Sequence, residues 1–202
     1  MQVELPDIET RARIEVQGAR PMDDEEFFEF CARNRKLRIE RDANGEIIIA
    51  PPAGAETGYR NSDIIAQLTT WSKQDGRGRV FHSNTEYFLP SGAARAPDAS
   101  WIAKSRLEQF SKDEKRRFLP LCPEFVIELI SPTDRLARAK AKMREWIENG
   151  AALGWLIDPD RQTVHVYRPG RGPEELADID RISGEGPVDG FRLELADIWQ
   201  GL

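Results

Sequence analysis

The segment that constrains the fold most is residues 124–158, where two apolar runs flank one amphipathic helix. The first run, FVIELI, is typical of a buried strand, and the second, GWLI, has the same character. Apolar residues between them recur at helical spacing until Asn149-Gly150, where glycine commonly ends a helix. A strand–helix–strand unit of this length forms a crossover, so the two strands are expected to pair in parallel.

The preceding part of the chain supplies more elements of one sheet. Helical spacing predicts a helix over residues 56–73. Strands are predicted over residues 80–89 and 98–103, and the turn residues Pro90-Ser91-Gly92 favour antiparallel pairing between them. A highly charged stretch, residues 104–118, is also predicted to be helical. The order that results is α-β-β-β-α-β, which predicts an α/β fold with a mixed sheet and helices on both faces.

Residues 1–52 are predicted to form an N-terminal layer. Residues 21–34 have the pattern of a short acidic helix, and Asp42-Ala43-Asn44-Gly45 separates two short apolar runs as a hairpin turn does. Pro51-Pro52 then interrupts the chain. We therefore expect a helix and a hairpin that pack on a main domain, residues 53–202, and do not fold independently.

Composition limits the possible partners and locations. The net charge of −6 argues against strong non-specific DNA binding, although residues 100–145 carry eleven Lys and Arg against seven Asp and Glu. No window has eighteen apolar residues, so no membrane span is expected. The two cysteines are far apart in sequence, which indicates a reducing compartment, and a cytoplasmic location is predicted.

The strongest chemical signal is a pair of acids on neighbouring predicted strands. Asp98 follows a proline at the start of one strand, and Glu128 lies within the apolar run of the next. A buried carboxylate needs a partner. A divalent metal that activates water for phosphodiester hydrolysis is one candidate, and an ion pair with a nearby Lys or Arg is the other. The sequence alone leaves both open.

A lysine is expected two residues after the second acid in the common nuclease pattern PD…(D/E)xK, but that position is Ile130. The following helix runs back along the strand. A residue about seven positions into this helix lies about as far from the end of the strand as Glu128 does. Lys140 and Lys142 flank its buried stripe on opposite sides, so helical geometry allows either one to reach the carboxylate.

Four segments together resemble the Uma-type restriction endonuclease family of the PD-(D/E)XK nuclease superfamily: PPAGAETGYRN, RAPDASWIAKSR, CPEFVIELISPTDR and KMREWIENGAALGWLIDPDRQTVHVYRPG. The resemblance covers roughly residues 20–200, with the order and spacing of the segments kept. It implies a restriction-endonuclease-like fold, for which α-β-β-β-α-β is the core order, and a magnesium-dependent endonuclease.

By position, the resemblance implies a site of Glu56, Asp98, Glu128 and Lys142. The three acids would hold Mg²⁺, or Mn²⁺, and the lysine would orient water or stabilise charge on phosphorus. Glu56 also suits a purely electrostatic role near a helix N-terminus. The expected substrate is DNA and the expected assembly a homodimer. The alternative is an inactive nuclease fold that acts as a binding or regulatory module.

Overall fold

A computed structural model describes residues 12–14, 21–50, 52–132 and 134–202. These residues form two compact units. The first unit includes the described residues up to Pro52 together with Asn84–Ala96 and Ser111–Leu121. The second unit comprises Ala53–Ser83, Pro97–Phe110 and the described residues of Cys122–Leu202. The proposed division at residue 52 stays a prediction.

The strands, numbered along the chain, are β1 (Ala12–Ile14), β2 (Arg38–Arg41), β3 (Ile47–Ala50), β4 (Gly78–His82), β5 (Tyr87–Phe88), β6 (Ala94–Arg95), β7 (Ala99–Ala103), β8 (Phe125–Leu129), β9 (Leu153–Asp158), β10 (Thr163–Tyr167), β11 (Glu174–Ala177), β12 (Arg181–Ser183) and β13 (Arg192–Glu194). The α-helices are α1 (Asp24–Arg33), α2 (Ala55–Asp75), α3 (Lys104–Leu107), α4 (Leu136–Glu148) and α5 (Ala196–Gln200). Short 3-10 turns occur at Glu114–Arg116 and Gly186–Val188. No helix in the part of the chain that the structure describes is both long and apolar enough to cross a membrane.

The first unit contains the predicted helix and hairpin. α1 begins with a capping box, in which Asp23 and Glu26 each accept a hydrogen bond from the other's backbone amide. β2 and β3 pair antiparallel around the predicted turn, where Gly45 has a φ of +86°. β6 and β5 extend this sheet, whose strand order is β1-β3-β2-β6-β5. The predicted helix and the predicted hairpin are therefore both confirmed.

The second unit is built on a six-stranded mixed sheet in the order β11-β10-β9-β8-β7-β4. β8 and β9 pair in parallel, as the crossover predicts, and the other neighbouring strands are antiparallel. α2 ends at Asp75, and Gly76 follows it with a left-handed φ of +78°. The mixed α/β architecture expected from the element order is confirmed.

Two of the predicted elements are wrong in their extent. Residues 80–89 are not one strand, because turn residues after His82 separate β4 from β5 and the two strands join different sheets. The helix predicted over residues 104–118 ends at Leu107. Further along, Ser111 and Glu114 each bond the other's backbone amide through their side chains, and such local bonds compete with helix continuation.

The central sheet of the second unit separates two environments. Phe125, Ile127 and Leu129 of β8 face a core that also contains Ile64 and Leu68 of α2. The β12–β13 hairpin adds Ile182 and Leu193 to that same core. Alternate residues of a strand point to opposite faces. Val126 and Glu128 therefore face the other side, where α4 lies.

Gly78 is required by close packing in the second unit. A Cβ added there would lie 2.1 Å from Trp101 Cε2, and the Trp101 indole is fixed by a 3.1 Å bond from Nε1 to Ser72 Oγ. We expect Gly78→Ala to lower the free energy of unfolding by roughly 1–3 kcal/mol through overpacking. Urea unfolding measures this loss. Gly172→Ala, whose Cβ would meet no atom within 4 Å, is the control, and equal losses in both would contradict the explanation.

His165 makes the stability depend on pH. The pKa of His165 is lowered, chiefly by burial and then by the positive charge of Lys140. Glu175, whose Oε2 lies 3.2 Å from Nδ1, acts in the opposite direction and raises it. The unfolded chain therefore binds this proton more readily than the folded chain. We expect the free energy of unfolding to fall as the pH drops below about 6.5. His165→Gln should reduce that fall in urea unfolding at about pH 7.5 and 5.5; an unchanged pH dependence would argue against it.

Candidate active site

Asp98 directly precedes β7, and Glu128 lies in the neighbouring strand β8. β7 and β8 pair antiparallel with Ala99 opposite Ile127 and Ser100 opposite Val126. Continuing this register by one residue places Asp98 directly opposite Glu128. Directly opposed residues of an antiparallel pair project their side chains to the same face. Asp98 and Glu128 are each about 8% exposed, so both acids are largely buried.

Two donors from α4 hold the Glu128 carboxylate. Trp146 Nε1 donates a hydrogen bond of 2.8 Å to Glu128 Oε1, and Lys142 Nζ lies 2.9 Å from the same oxygen. Trp146 is fully buried, and the Lys142 side chain is 15% exposed. A charge this deeply placed is costly unless it is paired and hydrogen-bonded, and Glu128 meets both conditions.

Asp98 is bound by the backbone of β8. Its Oδ2 accepts a hydrogen bond of 2.8 Å from the amide of Leu129, the residue that follows Glu128. A carboxylate fixed by a backbone amide has little freedom to rotate, because the strand that carries the donor is itself in the sheet. The contact therefore ties the first acid to the position of the second.

The structure distinguishes Lys142 from Lys140. Met143 and Trp146 form the fully buried side of α4, and Lys142 lies on the flank that reaches β8. Lys140 lies on the opposite flank, where its charge acts on His165 of β10. The depth estimated from the sequence was correct, and the tertiary packing selects Lys142 as the amine beside Glu128.

Ser131-Pro132-Thr133-Asp134 has the small polar residues and proline of a helix start, but α4 does not begin there. Ser131 donates to Asp134 Oδ2 from both its backbone amide, at 3.0 Å, and its hydroxyl, at 2.7 Å. α4 begins only at Leu136, after Arg135, whose side chain makes no capping bond. The small polar residues thus stabilise the loop beside Glu128 and leave Arg135 exposed at the helix start.

Glu56 occupies different surroundings. Its Oε1 lies 2.9 Å from Arg60 Nη2, and both carboxylate oxygens accept from the Leu202 amide at 3.3 Å. Arg60 in turn donates from Nε to the carbonyl of Ile198 at 2.8 Å. These bonds join α2 to the C-terminal residues. The role of Glu56 as a metal ligand stays a prediction, and its contacts are those of an ion pair.

The described ranges contain no group of three or more His, Cys, Asp and Glu side chains suited to hold a metal ion. The metal site of Glu56, Asp98 and Glu128 stays a prediction. The acids that the sheet does bring onto one face are Asp98 and Glu128. Any metal held here would take two carboxylates of this chain and complete its shell from water or substrate.

Comparison with known proteins identifies the family of this chain. The profile of the Uma2 family, described as "Putative restriction endonuclease", matches residues 24–196. The chain belongs to the Uma2 family. A crystal structure described as "a putative nuclease belonging to DUF820 from Anabaena variabilis" resembles this Uma2 chain with a TM-score of 0.71 and 23% identity. The match covers 89% of this chain and 98% of that one, and it shows a shared restriction-endonuclease-like fold. Curated proteins gave no match.

The residue that sequence reasoning missed in this Uma2 protein is Trp146. Its place among the apolar residues of α4 predicts packing against the sheet, and the sequence does not show which group accepts the hydrogen bond of its indole N–H. The available signal was its spacing, since Trp146 follows Lys142 by four residues and so lies one turn along the same side of the helix. An indole that is fully buried usually needs an acceptor, and Glu128 is the acceptor here.

Trp146→Phe tests the bond to Glu128 in the Uma2 protein. The variant removes a donor to a buried carboxylate, and we expect a larger loss of unfolding free energy than Trp155→Phe gives, by roughly 1.5–3 kcal/mol. Trp155 is equally buried but stacks on Phe191 on the other face. Urea unfolding of both variants makes the comparison. Losses of the same size would mean that the indole bond adds nothing beyond packing.

Proposed function

We propose that this protein is a metal-dependent endonuclease that hydrolyses phosphodiester bonds, with DNA as its substrate. The proposal rests on two buried acids and an amine: Asp98 is bound to the amide of Leu129, the residue after Glu128, and Lys142 Nζ lies 2.9 Å from the Glu128 carboxylate. Membership of the Uma2 family, described as "Putative restriction endonuclease", supports the same reaction class.

The donor set fits Mg²⁺ or Mn²⁺. Both are hard cations that favour carboxylate oxygens. Mg²⁺ in phosphoryl-transfer sites uses one or two carboxylates and takes its remaining ligands from water and substrate phosphate. Asp98 and Glu128 supply such a pair. When bound, the ion would polarise the phosphoryl group and lower the pKa of a water molecule.

The residues of the chain then have separate tasks. The reaction joins a water oxygen to phosphorus and breaks one P–O ester bond, giving a phosphomonoester and an alcohol that takes one of the water protons. Lys142 supplies positive charge where negative charge develops on the phosphoryl oxygens. Trp146 holds the Glu128 carboxylate, and the Leu129 amide holds that of Asp98, so neither acid must reorganise during the step.

A homodimer accords with this proposal. Each chain supplies one set of Asp98, Glu128 and Lys142, and cutting both strands of a duplex requires two such sets. Two-fold symmetry is the commonest way for a soluble protein to provide them. Sedimentation of the protein with and without duplex DNA tests the assembly independently of catalysis.

Cleavage assays with matched lysine variants test the catalytic roles. With Mg²⁺ or Mn²⁺ and a DNA duplex, we expect Lys142→Met to lower the cleavage rate by on the order of a hundredfold or more, since it removes a charge aimed at the transition state. Lys140→Met, two residues away on the other flank of α4, should cleave at nearly the wild-type rate. Equal loss in both variants would argue against a specific role for Lys142.

The acids and the metal are tested together. Asp98→Asn and Glu128→Gln should abolish cleavage and weaken Mn²⁺ binding in calorimetry, and a chelator should stop the wild-type reaction. Glu56→Gln separates the ion pair from a ligand role, because a structural Glu56 would leave Mn²⁺ affinity unchanged. A wild-type protein that binds DNA but neither binds metal nor cleaves would be the inactive binding module.

A further inference from the structure

The helix that carries Lys142 also carries an unusual local charge. Residues 135–144 contain five basic residues and no acid, in a chain whose net charge is −6. The basic residues are Arg135, Arg138, Lys140, Lys142 and Arg144. Residues 104–117 add six basic residues against three acids, so the positive excess in the middle of the sequence is shared between that segment and α4.

Three of these residues follow one side of the helix. Arg138 and Lys142 are four residues apart, about one turn or 6 Å along the axis, and Arg135 lies three residues before Arg138. Lys142 is the member that reaches Glu128. We call Arg135, Arg138 and Lys142 the basic stripe. It begins at the exposed start of α4 and ends at the buried acids.

The two arginines of the stripe have no acid partner in the described residues. Arg135 and Arg138 are exposed, and within the described residues neither forms an ion pair with a carboxylate. Five other arginines of this unit do pair with acids, in the contacts Arg60–Glu56, Arg77–Asp75, Arg106–Glu124, Arg161–Asp158 and Arg168–Glu185. Arg144, Arg171, Arg181 and Arg192 do not pair with a described acid, but they do not lie on the side of α4 that leads to Glu128. Because Arg135 and Arg138 are not neutralised by a neighbour, their charge is available to a ligand in solvent.

We propose that Arg135 and Arg138 bind the backbone phosphates of DNA beside the phosphate that is cleaved, so that α4 aligns the strand on Glu128 and Lys142. This inference rests on the proposed function. The stripe spans about 10 Å from Arg135 to Lys142, and one DNA strand carries a phosphate per roughly 3.4 Å of helix axis. Arginine forks match phosphate oxygens, and contacts of this kind position a strand without reading bases.

The expected partner follows from charge complementarity. An overall acidic protein gains little from non-specific attraction to DNA, so a local positive surface must supply the contact with the polyanion. Such a surface is useful only where it continues into the reacting groups. The basic stripe meets this condition, because its last member is 2.9 Å from Glu128 Oε1.

Fluorescence anisotropy of a labelled 20-base-pair duplex, in chelator so that no cleavage occurs, measures the contact. Each phosphate contact contributes about 0.9 to the slope of log affinity against log salt. Arg135→Gln/Arg138→Gln should lower that slope by about 1.8 and weaken binding on the order of tenfold or more at about 0.1 M salt. Arg135→Lys/Arg138→Lys, which keeps both charges, should retain most of the slope.

Arg181→Gln/Arg192→Gln is the matched control. It removes two exposed arginines from the β12–β13 hairpin, whose Ile182 and Leu193 pack on the opposite face of the sheet from α4. The control should keep the wild-type slope. A decrease of less than 0.9 in the α4 variant, an equal decrease in the control, or a wild-type protein that does not bind the duplex would overturn the inference.

The cleavage assay separates this inference from the proposed function. If the wild type cleaves with Mg²⁺ or Mn²⁺ while the α4 variant keeps its salt slope, the nuclease stands and the phosphate contact fails. If the α4 variant loses the slope while the wild type never cleaves, the contact stands and the proposed catalysis fails. Circular dichroism of each variant confirms that the exposed substitutions leave the fold intact.

Discussion

The pairing of the buried Glu128 carboxylate with two donors from α4 is the interaction on which the second unit depends. An acid in the middle of the apolar run FVIELI would destabilise the sheet if its charge had no partner. α4 crosses that face and provides Lys142 and Trp146 to the same oxygen. The crossover that places β9 parallel to β8 also brings this helix over Glu128, so topology and charge compensation have a common origin.

The same contact serves both structure and the proposed chemistry. An ion pair with lysine was the simple explanation of a buried Glu128, and a metal site was the functional one. The structure provides an ion pair, but its partner is the lysine that the nuclease hypothesis requires. Stability and the proposed catalysis therefore involve the same residues, as is common where charged groups are buried near a reacting centre. Asp98, fixed to the Leu129 amide, adds the second acid from the neighbouring strand.

Charge is distributed so that the acidic chain has a positive surface close to the acids. Five arginines in the second unit are paired with local carboxylates, whereas Arg135 and Arg138 are exposed at the start of α4 without such a partner among the described residues. The loop beside Glu128 helps to produce this arrangement. Asp134 accepts two hydrogen bonds from Ser131, and these direct its carboxylate into the loop. Arg135 and Arg138, which follow in the sequence, therefore do not pair with it.

The sequence by itself determined the local elements, the crossover, the alternation of β8 and the acids on adjacent strands, because periodicity and turn residues act over short distances. It did not predict the break after His82, where a turn interrupts the predicted strand, or the early end of α3, where local side-chain bonds replace the helix. Only the tertiary structure decided between Lys140 and Lys142, gave Trp146 its acceptor and paired Glu56 with Arg60. Those outcomes depend on the rotation of a helix against a sheet and on contacts between distant segments, which spacing along a chain does not fix.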